Sequence, residues 1–234
     1  MKKILILVQV IGLTLLMACN SGKPKSPDQP YGEKSGIVVY KPMEMMGVKV
    51  NQTLYFDDYG KNEARETVVE GSMNGMEMRQ HTIDIRNGNV MFHYEIENAS
   101  GGQNRATKDV YKMTLTPEML DQMNLEAMSD KMKAKLNYKL IGKETVAGLE
   151  GVKFSIAPDS TNPGSLIIGV NYKNIPMKVT MGQMEITADK ADFSPKIPAD
   201  KFKIPEGYTV VDQSKQQMPQ LPADTPAEAA PEKK

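Results

Sequence analysis

In Val90-Met91-Phe92-His93-Tyr94-Glu95-Ile96 every second side chain is large and apolar: Val90, Phe92, Tyr94 and Ile96 alternate with Met91, His93 and Glu95. A strand sends successive side chains to opposite faces, so this period of two predicts an extended segment with one dry and one wetter face. Val48, Val50, Leu54 and Phe56 repeat the pattern against Lys49, Asn51, Thr53 and Asp57, with Gln52 as the one interruption. Segments of the same kind run over residues 37–43, 66–70, 76–85, 110–113, 138–143, 152–157, 166–172, 177–181 and 184–191. The links between them carry turn chemistry: Asp58-Tyr59-Gly60, Asn74-Gly75, Asn87-Gly88, Gly101-Gly102, residues 148–151, Asn162-Pro163-Gly164 and Gly182-Gln183. Short links between successive strands predict an antiparallel meander, because parallel βαβ units need long crossovers.

One stretch departs from the alternation. Thr116-Pro117-Glu118 has a hydroxyl cap, a proline in the first turn and an early acid, the start signal of a helix. Beyond it, Met119, Leu120 and Met123 share one face, whereas Leu125, Met128, Met132 and Leu136 fall on a face turned well away. Two short helices broken at Asn124, a candidate second cap, account for this; one helix with a broad apolar surface is the alternative. Either arrangement covers a sheet, so the expected fold is mainly β of the α+β class.

The ends set the address. Lys2 and Lys3 precede an uncharged apolar run over residues 4–16, the pattern of a secretory signal. It closes in Leu16-Met17-Ala18-Cys19, which resembles the lipobox of bacterial lipoproteins. That resemblance implies cleavage before Cys19, removal of residues 1–18, and lipidation of the Cys19 thiol and the new amino terminus, with two or more chains giving a stable anchor. Cys19 is the single cysteine, so stability must come from the hydrophobic core without a disulfide. Loss of Lys2 and Lys3 leaves 27 Lys and Arg against 29 Asp and Glu, near −2, without a basic block to neutralise phosphates, which argues against a nucleic-acid partner. Residues 20–34 are rich in Ser, Gly, Pro and Lys and read, with Cys19 and Ser35, as a lipidated flexible tether over 19–35. Residues 213–234 have the composition of a disordered tail, which leaves a single domain over residues 36–212. Asn20 is not the Asp that commonly marks inner-membrane retention, so the expected place is the outer membrane.

The last third of the domain carries a family likeness. Tyr172-Lys173-Asn174-Ile175-Pro176-Met177-Lys178, the Met181-Gly182-Gln183-Met184 turn, and the phrase Ile197-Pro198-Ala199-Asp200-Lys201-Phe202-Lys203-Ile204-Pro205-Glu206-Gly207-Tyr208 resemble the closing pattern of the bacterial envelope proteins grouped as DUF4412. More distantly, residues 202–212, and Gly142-Lys143-Glu144-Thr145-Val146-Ala147-Gly148 before them, look like the lipoprotein carriers of the LolA and LolB type. The resemblance implies an incomplete antiparallel barrel, a curved sheet of about ten strands with helices plugging its concave side. In the carriers that concavity holds acyl chains. The arginines Arg65, Arg79, Arg86 and Arg105 show no spacing that marks one as the carriers' substrate-binding arginine, so the architecture transfers and the carrier activity does not.

Methionine is the compositional oddity, with sixteen of the eighteen in the mature chain. Three readings stand open. Thioethers pack ordinary cores; they line adaptable apolar grooves, for which Met119, Met123, Met128 and Met132 of the helical segment are the candidates; and they are soft ligands for Cu(I), for which Met76-x-Met78-x-x-His81 is the candidate. Alternation puts Met76 and Met78 on one face of a strand and His81 on the other, which argues against the copper site. His81 and His93 are the only histidines and lie on predicted strands. The chain contains no Gly-x-Ser-x-Gly elbow, phosphate loop or His-Glu-x-x-His, so an enzyme is not expected, nor a cofactor or resident metal. Asp159-Ser160-Thr161 resembles the O-glycosylation acceptor of some envelope bacteria. Taken together, the residues predict an envelope lipoprotein binding a hydrophobic or lipid-like ligand in the concave face of its sheet. A structural or adaptor lipoprotein holding a protein partner is the alternative.

Overall fold

The computed structural model describes residues 26, 28–45, 47–73, 75–123, 128–159 and 161–214. Cys19, Asn124, Leu125 and Ser160 lie outside them, as does the tail beyond 214. The chain order is β1 (Gly36–Tyr40), β2 (Met43–Met45), β3 (Val48–Asp57), β4 (Asn62–Met73), β5 (Met76–Asn87), β6 (Val90–Ser100), β7 (Gln103–Asn104), β8 (Asp109–Thr114), α1 (Pro117–Met123), α2 (Asp130–Lys135), β9 (Lys139–Val146), β10 (Leu149–Ile156), β11 (Ile167–Tyr172), β12 (Ile175–Met181), β13 (Met184–Asp192) and β14 (Thr209–Asp212). Every predicted strand has a counterpart. The eleven segments read from alternation become 14 strands, against the about ten that the resemblance implies, because the predicted 37–43 segment divides into β1 and β2 and because β7 and β14 are too short for a period-two signal.

All strands join one open sheet in the order β14-β8-β6-β5-β4-β3-β1-β13-β12-β11-β10-β9, with β2 on β3 and β7 on β6. It consists of two antiparallel meanders that meet at β1, which pairs β3 along one edge and β13 along the other. The last strand breaks the antiparallel expectation, since β14 pairs β8 in parallel, Thr209 to Asp109 through Asp212 to Lys112. Bulges interrupt the ladders at Val39/Tyr40, His81/Thr82, Lys153/Phe154 and Val170/Asn171, and such bulges bend strands and raise their twist. The result is an incomplete barrel with the two short helices on its concave side.

Both faces of the sheet are buried, in different places. Val38 and Tyr40 of β1 and Leu54 and Phe56 of β3 belong to one core, with Tyr31, Val170, Ile175, Met177 and Ala188. Their chain neighbours Ile37 and Tyr55 face the opposite way and pack on a second core of Ala64, Ile83, Ile85, Tyr94 and Val110. That outer core is roofed by Ile197, Phe202, Ile204 and Tyr208, all from the phrase that resembles the DUF4412 ending. The roof is also pinned by polar contacts: the Asn87 amide donates to the Phe202 carbonyl at 3.1 Å, and the Lys201 ammonium lies 4.5 Å from the centre of the Tyr55 ring. Ile96, at the far end of the opening stretch, is exposed and lies at the bulge where His81 pairs Glu97 and Thr82 pairs Glu95.

One expectation needs correction. The tether does not run as far as residue 35: Tyr31 is buried edge-on against Phe56 with ring centres 4.9 Å apart, and its amide donates to the Tyr59 carbonyl. Gln29 reaches Asp58 at 2.8 Å and Lys173 reaches Glu33 at 2.6 Å, so residues 28–35 are laid onto the domain. The second helix is capped at Ser129, whose hydroxyl accepts from the Met132 amide, while the expected cap Asn124 lies outside the described residues. Thr116 caps α1 as expected, accepting from the Met119 amide at 3.3 Å.

Candidate ligand cavity

The concave side holds a cavity of about 280 Å³. Its walls come from the second meander and from α1: Phe154, Ile156, Ile167 and Val179 with Leu120 above them. Its floor comes from the first meander and is charged. Glu63 and Arg65 lie two apart on β4 and therefore share a face, and β5 places Arg86 directly opposite Glu63. The β4–β5 hairpin dictates this, since pairing Met73 with Met76 and counting back brings residue 63 to residue 86.

Glu63 is the hub of the floor. Its carboxylate accepts from the Tyr31 hydroxyl at 2.7 Å, from Arg86 at 3.1 Å and, weakly, from Arg65 at 3.5 Å. Burial alone would raise its pKa, but the guanidinium charges of Arg65 and Arg86 with the Tyr31 hydrogen bond outweigh it and hold the carboxyl below its ordinary value. The same burial, reinforced by the Glu63 charge, pushes the Tyr31 phenol well up, so Tyr31 stays a donor. Arg86 is the most enclosed of the three and also donates to the carbonyls of Gly60 and Gly88. The Gly60 carbonyl closes a tight turn in which Asp58, Tyr59 and Gly60 all adopt left-handed backbone. A Cβ on Gly60 would sit 2.5 Å from the Tyr31 ring, so glycine is needed there twice over.

Arg65 is different. Its side chain keeps 35 % exposure and lines the cavity, and its one polar contact among the described residues is the 3.5 Å approach to Glu63. Asp84 is its cross-strand partner but is engaged by His93 at 2.8 Å and forms no ion pair with it. The Asn171 side-chain amide also lines the cavity without a hydrogen-bond partner among the described residues. An arginine and an amide with free donors therefore stand at the base of apolar walls.

The residues singled out by sequence are placed as follows. Met128 is buried, Met119 and Met132 are partly exposed, and the side chain of Met123 lies outside the described residues. Among the described residues, Leu120 and none of these methionines contributes the helical part of the lining. Met76 is 58 % exposed at the tip of the β4–β5 hairpin, while His81 points to the other face and meets Glu66 at 2.8 Å, so the two do not converge. Among the described residues no group of three or more His, Cys, Asp or Glu side chains could hold a metal ion.

No protein-family model matches the chain, and no curated protein does. Among solved structures it is similar to MucB, at a TM-score of 0.40 and 12 % identity over 82 % of this chain and 62 % of that one. The MucA/MucB complex of Pseudomonas aeruginosa matches at 0.43 and 13 %, over 82 % and 61 %. A β-barrel-like protein of the DUF1849 domain from Brucella abortus matches at 0.42 and 9 %, over 70 % of this chain and 99 % of that one. The chain thus spans less than two thirds of the MucB chains it matches.

Proposed function

We propose that this chain is a non-enzymatic envelope lipoprotein, anchored through Cys19, whose concave face shelters a hydrophobic or lipid-like ligand. The observation that carries the reading is the cavity itself: four apolar side chains from three strands of one meander, faced by Leu120 of a helix. Folded domains fill such spaces to near-crystalline density unless something else occupies them. At about 280 Å³ the space is at the small end for ligand sites, which run from roughly 300 Å³ upward. The lipobox-like Leu16-Met17-Ala18-Cys19 supports the anchor, Asn20 in place of an Asp supports the outer membrane, and the DUF4412-like and carrier-like phrases support the architecture. A cavity-filling substitution tests the reading. The mature protein should take up a fluorescent apolar naphthylamine probe, and Val179→Trp should abolish uptake while leaving the unfolding transition in place; equal uptake by both proteins would sink it.

A second reading, an adaptor that holds a protein partner, is favoured by β9. This strand ends the sheet, and Leu140 and Ile141 on it are 65 % and 46 % exposed, which leaves an apolar edge open to strand addition. Crosslinking in cells from a photoreactive residue at position 140 would recover one stoichiometric partner under this reading and none under the first.

A further inference from the structure

We propose that the ligand is a single-chain amphipath with an anionic, carboxylate-like head, and that Arg65 binds the head while Phe154, Ile156, Ile167 and Val179 hold the chain. This rests on the ligand-sheltering reading and names the class of ligand. Charge at the floor comes first. Glu63 contributes one negative charge and Arg65 and Arg86 two positive charges, so the floor carries one positive charge in excess. Arg65 is half-buried with only a long contact to Glu63, so an incoming anion gains a charge-assisted pair at a site already partly shielded from water. A cation would meet repulsion, and a neutral head would leave the excess in place.

Hydrogen bonding assigns the excess to a residue. Arg86 spends its donors on Glu63, Gly60 and Gly88, and the Tyr31 hydroxyl is committed to Glu63. Arg65 has five N–H donors and one long contact, so its planar fork is available for the two oxygens of a carboxylate. Asn171, from the opposite meander, offers a further donor to the same head. Asp84, the cross-strand partner of Arg65, is hydrogen-bonded to His93 and acts on Arg65 through its charge alone, so it occupies none of the Arg65 donors.

Size sets the number of chains. A cavity of about 280 Å³ has room for one slender chain, not for the tail bundle of a multi-acyl lipid. A free fatty acid and a lysophosphatidic acid both carry an anionic head on one chain and differ in the anion, carboxylate against phosphate, and in head size.

The experiment uses the mature lipoprotein in mild detergent and four probes of equal chain length: dodecanoate, lauroyl-lysophosphatidic acid, dodecanol and dodecyltrimethylammonium. Displacement of the naphthylamine probe reports each affinity. Dodecanoate should bind at least tenfold more tightly than dodecanol, the scale of one charged hydrogen bond. Arg65→Gln should erase that preference without changing dodecanol, and Arg65→Lys should restore part of it. Preference for the lysophosphatidic acid over dodecanoate, lost in Arg65→Gln, would keep the anion site but overturn the carboxylate assignment. Equal binding of dodecanol and dodecanoate, or tighter binding of the cation, would overturn the anion site while leaving the ligand-sheltering function standing. Displacement by none of the four would overturn both.

Discussion

Arg86→Met removes the residue on which the cavity floor is built, and the cost can be worked from its contacts. The methionine fills a similar volume, so the loss is electrostatic and hydrogen-bonded more than it is steric. The Gly60 and Gly88 carbonyls lose their side-chain donor in a buried place, at about 1–3 kcal/mol each. Glu63 loses one of two guanidinium partners but keeps the Tyr31 hydroxyl and the longer contact to Arg65. Breaking one side of a buried ion pair costs about 3–5 kcal/mol with the groups left unpaired already counted, and the partners that Glu63 retains place the whole loss near the lower end, about 3 kcal/mol. Urea unfolding of the mature protein measures it, with the midpoint falling and the slope unchanged. A loss under about 1 kcal/mol would refute the claim that Arg86 organises the floor. Arg86→Lys discriminates further: the three donors of an ammonium radiate from a single nitrogen and cannot reproduce the fork in which Nη1 reaches Gly88 while Nη2 reaches Gly60 and Glu63, so it should recover less than half of the loss.

Three shorter predictions follow from other residues. Glu63 titrates in the folded state below its ordinary value of 4.5, so the stability it lends is complete above that pH and is lost as pH falls through the lower folded value; the stability gap between wild type and Glu63→Gln should therefore close on acidification, and a gap independent of pH would contradict the pairing. Gly60→Ala puts a Cβ on left-handed backbone and 2.5 Å from the Tyr31 ring; thermal unfolding should register a loss of about 2 kcal/mol or more, and a neutral outcome would mean that residues 28–35 do not dock as described. Phe202→Ala opens the roof over Ile83, Ile85 and Tyr94 and should cost about 3 kcal/mol in urea, with a loss near zero showing that the outer face needs no roof.

Much of the fold was legible because a strand writes itself in the sequence with a period of two, and Val48 to Phe56 or Val90 to Tyr94 obey it. What alternation cannot say is which faces a protein buries. Ile37 and Val38, or Tyr55 and Phe56, look like a dry residue beside a dispensable one, yet each pair feeds two cores on opposite sides of β1 and β3. The cavity floor was hidden for a related reason. Glu63, Arg65 and Arg86 fall just outside the predicted 66–70 and 76–85 segments, opposite or beside residues of the dry face such as Leu54 and Phe56, and their proximity depends on the register of β4 with β5. One signal was available, because the two-residue Asn74-Gly75 turn fixes that register and counting back from it pairs residue 63 with residue 86. Tyr31 had no such marker, as it sits alone among polar residues and is drawn into the core by Phe56 and the 58–60 turn. The methionines drew attention by number, but the cavity wall is made of Leu120, Phe154, Ile156, Ile167 and Val179, which are compositionally ordinary.

The central claim is that the concave cavity holds a ligand in the living cell. Native mass spectrometry of the mature lipoprotein, gently extracted from its own membranes, addresses this most directly. The account predicts a bound species of one-chain amphipath mass in wild type, released on collisional activation and missing from Val179→Trp. A wild-type spectrum that shows the lipidated chain alone, identical to the Val179→Trp spectrum apart from the substitution, would contradict it.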